Sequence, residues 1–510
     1  MQRVGIIGAG LSGLVAAKTF LEEGFEPTLF EKESEVGGVW ARSRRYPGIH
    51  TQNPRDTYAF SDFPMPRTYP EFPTGEQVQA YLGAYADHFG VTPHVRFETA
   101  VQDVSPVDGG WGGWRVRSVA ADGSETPART EHFDFLVVAN GTYSAPHVPE
   151  LPGLDAFTAA GGRVLHSSTF KHLDQVRGKR VVVVGGAKSA CDVAAAATGA
   201  AESCTLVFRK AYWKMPKKFF GVLPLRYVLT TRFSESLFRD RRLEGMEKVL
   251  HGVGRPAVWL FWRGIERMLM STHHLRQVGM VPRERIEVLV NCMLSLATDG
   301  FYDAIREGRL GARHASVAAL HPGGVELSTG ERLDADVVIF GTGFRQEVPF
   351  LDPETRAKVV DEDGVFHLYR NILHPDVPNL GFVGYNASLY SQLTSELGAR
   401  WLARCFLGQV RLPSREAMLR EVAERWEWIR ENRPLGTASG TCIIPFTFHY
   451  VDDLLREMGA RPVRRPLNRF REVFLPIDPS VYANLKEELD GRRSRRAPAR
   501  PREHAGALHG

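Results

Sequence analysis

Short, wholly apolar runs alternate along this chain with amphipathic stretches, and that alternation predicts an α/β fold. Arg3-Val4-Gly5-Ile6-Ile7 reads as a buried parallel strand, apolar on both faces. A helix is expected over Leu14 to Glu23, then a second strand over Pro27-Thr28-Leu29-Phe30. Residues 75–89 predict another helix, since Val78, Tyr81, Leu82 and Tyr85 share one face. Residues 95–139 alternate and turn like β-structure and close on the apolar run Phe135–Ala139, which predicts a return to the first sheet. Arg180–Val184 and Cys204–Phe208 predict a second set of buried strands. Asp336–Phe340, followed by Gly341-Thr342-Gly343, predicts a strand that re-enters the first domain. Residues 379–403 read as a strand and then a helix through Trp401.

Two strand-to-helix turns are rich in glycine. The first is Gly8-Ala9-Gly10-Leu11-Ser12-Gly13. Gly8 permits the tight turn, Gly10 lets backbone approach a pyrophosphate, and Gly13 lets helix and strand pack closely. The helix that follows turns its positive end toward the phosphates. Glu31 stands 23 residues after Gly8, at the end of the second strand. An acid about 20 residues on accepts a hydrogen bond from a ribose 2′-hydroxyl. The second turn is Gly185-Gly186-Ala187-Lys188-Ser189-Ala190, with Ala at the middle and last glycine positions. Its next strand ends at Arg209-Lys210, so cations stand where the first site has its acid. A 2′-phosphate wants a cation there. The pair of sites therefore reads as FAD at the first and NADPH at the second. The expected architecture is two Rossmann-like dinucleotide-binding domains, the NADP domain inserted in the FAD domain. The segments would be 1–142 (FAD, first part), 143–335 (NADPH), 336–490 (FAD, second part) and a disordered basic tail at 491–510.

Residues 211–282 are not part of a minimal nucleotide fold. Ala257, Leu260, Phe261, Gly264, Ile265, Met268 and Leu269 predict a helical stripe there, flanked by Trp259, Trp262, Arg263 and Arg267. Three readings of this helical insertion stay open: a lid or interdomain packing, a homodimer contact, and attachment to a membrane surface.

The 510 residues suffice for two large cores. Net charge is +5, but a dense basic cluster runs from Arg492 to Arg502, and without it the body is near neutral. Nothing argues for nucleic acid. The five cysteines (191, 204, 292, 405 and 442) have no C-x-x-C and no metal spacing. They suggest a reducing compartment, so a cytoplasmic protein is expected, and they exclude the dithiol flavoenzymes. No leader is expected before a strand that includes residue 4, and no apolar run approaches the ~20 residues that span a bilayer.

Several of these elements, in order, resemble the flavin-containing monooxygenases, the class B flavoprotein monooxygenases. They are the first Gly loop, Gly37-Gly38-x-Trp40, Phe60-Ser61-Asp62-Phe63-Pro64, the second loop with Ser189-Ala190-x-Asp192, and Phe340–Phe344. Most specific is Gly162–Phe170, where Gly162, His166 and Phe170 match F-x-G-x-x-x-H-x-x-x-(Y/F). Ala160 departs from the leading Phe of that pattern, and Phe157 lies three residues earlier. The resemblance implies that NADPH reduces FAD, that O2 forms a C(4a)-hydroperoxide, and that a small nitrogen- or sulfur-containing substrate is oxygenated. It implies roles in cofactor binding for Gly38, Trp40, Gly185, Lys188, Ser189 and Thr342. The family's flavin-side Asn falls on Gln52, with Asn53 beside it, and either amide is a candidate. Phe170 favours these enzymes over Baeyer–Villiger monooxygenases, which usually carry Trp there and act on ketones. His166 is either a linker residue or something more. A non-catalytic FAD/NADP-binding sensor is the alternative of another class. No metal is expected.

Overall fold

The protein is described from a computed structural model over residues 1–124, 127–289, 295–432, 443–444 and 446–496. Two five-stranded parallel sheets organise it. The first runs in the order Leu380–Phe382, Phe135–Val138, Arg3–Ile7, Glu26–Phe30, Val95–Arg96. The second runs Gly311–His314, Ser203–Phe208, Arg180–Val184, Val337–Phe340, Arg163–His166. Every strand of the second sheet falls in sequence between two strands of the first. In each sheet the strand before the Gly-rich turn lies centrally, where the strand order reverses. Ligands of open parallel sheets bind outside the carboxyl ends of the strands at such a point.

The helix expected over 75–89 spans Gly75–His88, starts at a Thr74 capping box, and buries Val78, Tyr81, Leu82 and Tyr85. The alternating stretch after it folds as a three-stranded antiparallel sheet of Thr99–Pro106, Trp114–Ala120 and Arg129–Phe133.

Three expectations are corrected. Val337–Phe340 does not re-enter the first sheet. It pairs with the central strand of the second, Val181 opposite Val337, and with Arg163–His166. A run apolar on both faces fits the middle of either sheet, and its composition does not choose between them. Leu380–Phe382 makes the return instead, beside Phe135–Val138. Second, the helix Arg255–Thr272 buries Val258, Trp262, Ile265 and Leu269, while Ala257, Leu260, Phe261 and Gly264 face outward. Its outer side is nearly as apolar as its inner side, so periodicity alone misplaces the buried stripe. Third, the helix Leu485–Arg496 takes in the first six residues of the tail expected to be disordered. The other fourteen lie outside the described residues.

The 211–282 insertion also holds short strands at Lys214–Met215, Lys218–Phe219 and Leu223–Pro224. It is clamped to the helix Thr447–Met458. Arg232 forks onto Asp452 at 2.7 and 2.8 Å and reaches Glu472 at 3.1 Å. Glu235 accepts the N–H groups of Phe448 (2.8 Å) and His449 (3.2 Å), which caps that helix from another part of the chain. The His449 imidazole lies 2.7 Å from Glu247. Burial opposes charge on His449, but the Glu247 hydrogen bond and the facing Asp240 and Glu235 outweigh it and push the imidazole up to about 9. Burial pushes the Glu235 carboxyl up to about 8.

A folded-state pKa above the unfolded value means that the native state binds the proton more tightly, so stability falls as pH rises across that window. For His449 the contribution is complete below 6.5 and lost as pH passes about 9. Melting temperature should therefore fall between neutral pH and about pH 9.5, and His449→Gln should flatten that fall. Parallel melting curves for the variant and the parent across the window would show that the clamp does not carry it.

Candidate functional site

At the first turn, the helix Leu11–Glu22 starts with Gly10 as its N-cap. A Cβ on Gly13 would sit 1.8 Å from the Gly8 carbonyl oxygen, so the close helix–strand packing requires glycine there. Gly8 has φ +105°, where a side chain is strained. Gly37 donates to the Ala9 carbonyl at 3.2 Å, and a Cβ on Gly10 would stand 3.4 Å from the Gly38 Cα. Gly10 and Gly38 thus form a bare backbone cradle. Glu31 is buried beside it and accepts the N–H groups of Ala9 (2.7 Å) and Glu33 (3.0 Å), one on each oxygen. Each oxygen keeps a lone pair for a ribose hydroxyl. Burial raises the Glu31 pKa, and the two N–H groups oppose that shift. Bare backbone at a helix N-terminus, with an acid beyond it, fits FAD. Trp40 turns inward, buried, its indole N–H on the Tyr58 hydroxyl at 3.2 Å.

The second turn repeats the geometry with different glycines. Gly185 has φ +137°. Ala190, which stands in the last glycine position, is accommodated by Gly341: a Cβ there would lie 2.6 Å from the Ala190 Cβ. Ser189 sits in the first turn of the helix Lys188–Ala197. Arg209 and Lys210 are exposed past the end of Ser203–Phe208, open to a phosphate. Lys188 is placed differently. Its ammonium is buried, 2.5 Å from Asp192 and 3.1 Å from the Thr298 hydroxyl. It is spent within its own helix rather than offered to a ligand, and the i, i+4 spacing to Asp192 is the signal for this.

Asp192 gathers more than Lys188. Thr298 donates to the same carboxylate oxygen, and the Tyr46 hydroxyl donates to the other at 2.9 Å. Burial and then the Asp192 charge hold the Tyr46 pKa well above its ordinary value, so it remains a donor. Two residues before Thr298, the Leu296 N–H donates to the Gln52 amide oxygen at 3.2 Å. The segment Tyr46–Asn53 therefore links the first Gly-rich turn's neighbourhood to the region around the second. Tyr46 and Thr298 were not singled out in the sequence.

Gln52 and Asn53 part company. Gln52 is exposed and its oxygen is held by Leu296, which leaves its NH2 group available. Asn53 is buried and donates to the Leu389 carbonyl, just ahead of the helix Ser391–Phe406. The Thr342 hydroxyl donates to the His147 carbonyl, where Ala145–Pro146 and Phe344–Arg345 run antiparallel between the two sheets. His166 locks the same linker. Its Nδ1 accepts the Ser168 N–H at 3.1 Å and its Nε2 donates to the Gly343 carbonyl at 3.0 Å. That pattern defines a neutral ring, and burial holds its pKa below the ordinary value. Phe60–Pro64 is held by charge: Ser61 binds Glu396 through N–H and hydroxyl, and Asp62 lies 2.5 Å from the buried Lys18.

The Flavin-binding monooxygenase-like family model matches residues 1–468. The chain is 31% identical to the probable flavin-containing monooxygenase 1 of Arabidopsis thaliana, over 96% of this chain and 97% of that protein. Among solved structures it is similar to S-allyl-L-cysteine S-oxygenase from Allium sativum (TM-score 0.62, 22% identity, 98% of this chain and 94% of that one). It is also similar to an oxidised steroid monooxygenase bound to NADP (TM-score 0.66, 21% identity, 90% and 98%). The fold and the two turns define a flavoprotein of mixed α/β build with parallel sheets. The chain belongs to the flavin-binding monooxygenase family, and it is an FAD-dependent, NADPH-using enzyme that oxygenates small substrates. Membership removes the sensor alternative. Among the described residues no group of side chains could hold a metal, no helix is long and apolar enough to cross a membrane, and Cys191, Cys204 and Cys405 are free thiols. Cys292 and Cys442 lie outside the described residues.

Removing Asp192 should strand the Lys188 ammonium in a buried site. Breaking a buried pair in this way costs about 3–5 kcal/mol. Asp192→Ala is expected to lose that much stability, and Lys188→Met in the same chain should restore part of it. An Asp192→Ala protein that unfolds like the parent would refute the assignment.

Proposed function

We propose that the protein is a monooxygenase acting on a small nitrogen- or sulfur-containing substrate, with FAD on the first sheet and NADPH on the second. The observation that carries the cofactor assignment is the reversal of charge at equivalent strand ends. Glu31 is buried against the first turn, and Arg209 with Lys210 is exposed beyond the second. The reaction type is supported by Phe170 at the end of the linker signature and by the kinship with a protein named a flavin-containing monooxygenase. The similarity to a steroid monooxygenase is one of fold alone.

Bound FAD, reduced by NADPH, would activate O2 and supply the oxygen atom. The chain's own part is to bind, orient and exclude water. Gly8, Gly10, Gly13 and Gly38 give the pyrophosphate of FAD its bare backbone, and Glu31 takes the ribose. Gly185, Ser189 and the start of their helix take the second pyrophosphate, with Arg209 and Lys210 on the 2′-phosphate. Lys188 and Thr342 act indirectly, by fixing the helix start and the linker. Of the two amides, Gln52 is the one that acts toward the reacting centre, since its NH2 is uncommitted. Asn53 holds the Leu389 turn.

Three variants and a substrate panel test this reading. Arg209→Ala should raise the Michaelis constant for NADPH roughly tenfold to a hundredfold, the value of one charge-assisted phosphate contact, and leave that for NADH nearly unchanged. An equal effect on both cofactors would remove Arg209 from phosphate recognition. Gln52→Leu should keep flavin reduction by NADPH yet divert reducing equivalents to hydrogen peroxide. Asn53→Leu should cost about 1–3 kcal/mol of stability through the unpaired Leu389 carbonyl. If Gln52→Leu couples NADPH to product as well as the parent, another group does this work. Products from a panel of amines, thioethers and ketones, weighed by mass spectrometry, decide the reaction. Conversion of ketones to esters with amines and sulfides ignored would establish the Baeyer–Villiger reading instead.

A further inference from the structure

Arg44, Arg45 and Lys171 meet where the linker between the two sheets passes the first Gly-rich turn. The two arginines follow Gly37–Trp40 in the chain. Lys171 comes directly after Phe170, so it reaches the cluster from the second sheet's edge strand, Arg163–His166. Its ammonium stands 3.3 Å from the Arg45 carbonyl. Arg45 itself is answered by Glu76 at 3.0 Å. Arg44 and Lys171 are not. Each is half-buried and donates to a neutral carbonyl, Arg44 to that of Tyr143 and Lys171 to that of Arg45, and among the described residues neither forms an ion pair. Burial and then the Arg44 charge lower the Lys171 pKa to about 8. Burial lowers that of Arg44 as well. Two cations drawn out of water and set beside each other want an anion, and the described residues do not supply one.

Their place in the fold says which anion. The strand Arg3–Ile7 lies between Phe135–Val138 and Glu26–Phe30. Tyr143 follows the first of these neighbours in the chain, and Glu31 and Glu33 follow the second. Arg44 donates to the Tyr143 carbonyl, while the charges of Glu33 and Glu31 act on it and oppose the effect of burial. It therefore spans the carboxyl end of the central strand, where the Gly8–Gly13 turn begins and where a parallel sheet binds its ligand. Its guanidinium also lies 5.9 Å from the centre of the Phe344 ring in the linker. The turn has no cation of its own. The helix Leu11–Glu22 carries one lysine, Lys18, which is spent on Asp62 and Glu22. Backbone N–H groups and a helix end attract a diphosphate, but they leave its charges without counter-charges.

We propose that Arg44 and Lys171 bind the diphosphate of FAD together with the first Gly-rich turn, one cation for each phosphate. The inference rests on FAD occupying the first site. NADPH carries a diphosphate too, but the acids that act on Arg44 are Glu33 and Glu31, and Glu31 is the one that takes the FAD ribose. The planar fork of Arg44 and the point charge of Lys171 both suit phosphate oxygens. Lys171 belongs to the stretch that carries the linker signature. FAD is then held from both nucleotide-binding regions, and a cofactor seated on the first sheet also fastens the start of the second.

The test uses the full-length FAD-loaded enzyme, with FAD release on dilution followed by the rise in flavin fluorescence. Arg44→Gln and Lys171→Gln should each speed release roughly tenfold, the value of one charge-assisted phosphate contact. Arg44→Lys and Lys171→Arg keep the charge and should release FAD far more slowly than the Gln variants. Salt at ~0.5 M should speed release from the parent by screening the contacts, and should have little effect on the double Gln variant. Release from the Gln variants at the parental rate overturns the proposal. So does release from the charge-keeping variants as fast as from the Gln ones, which assigns both positions to packing. A higher Michaelis constant for NADPH with FAD release unchanged overturns it too, and gives the pair to the other diphosphate. Gly10→Val separates this inference from the cofactor assignment beneath it. If that variant keeps its full flavin, the first site is not where FAD binds. If it loses flavin while the Gln variants hold theirs, only the role of Arg44 and Lys171 falls.

Discussion

One buried carboxylate ties the molecule together. Asp192 lies on the first turn-and-a-half of the helix behind the second Gly-rich turn, yet it accepts from Tyr46, which belongs to the neighbourhood of the first. Lys188 and Thr298 complete its partners. A charge taken out of water is tolerated only when its lone pairs are answered, and here they are answered from three separate stretches of chain. The cost of leaving any one unanswered makes the arrangement cooperative. Thr298 in turn fixes the strand edge whose Leu296 N–H holds Gln52. The position of a surface amide is thus tied to a buried ion pair through Thr298, two residues beyond the Leu296 N–H that holds it.

The same logic governs the two nucleotide turns. Both need bare backbone at the strand-to-helix transition, but they obtain it differently. The first uses its own Gly13 against the Gly8 carbonyl. The second places Ala190 there and takes the missing space from Gly341, just past the end of a neighbouring strand. That explains how a turn with two alanines in glycine positions keeps its shape. The pairing of Val337–Phe340 with Arg180–Val184 brings Gly341, one residue past that strand, against Ala190.

Much of this was legible in the sequence because the decisive signals are local. Glycine at the turns, an acid or a cation at the following strand end, and the shared face of Val78, Tyr81, Leu82 and Tyr85 each follow from a few nearby residues. What stayed illegible is what depends on contact at a distance. A doubly buried strand does not announce its sheet. The helix 255–272 is apolar on two sides, so its pattern defines a helix but not which side faces the core. Lys188 carried a cofactor-binding role from the family resemblance, and the sequence alone does not show its burial beside Asp192 and Thr298. Gln52 and Asn53 are chemically equivalent in sequence and separate only when their partners are known.

The linker between the sheets shows how position and chemistry are shared out. Ala145–Pro146 and Phe344–Arg345 pair in opposite directions, so any rotation of one sheet against the other must pass through this ribbon. His166 sits at the end of a strand in the second sheet and donates to Gly343 within it. Its ring also meets Phe344 edge-on, 4.9 Å between centroids. Because Nδ1 is an acceptor, protonation would set a donor against the Ser168 N–H and break the cap. The ring is therefore held neutral, and its depressed pKa is the consequence of a structural task rather than a sign of acid–base catalysis. This agrees with a chemistry in which the flavin supplies the reactivity and the protein supplies placement. The histidine in the middle of the family signature fastens the end of a strand of the second sheet to the connection that leads back toward the first.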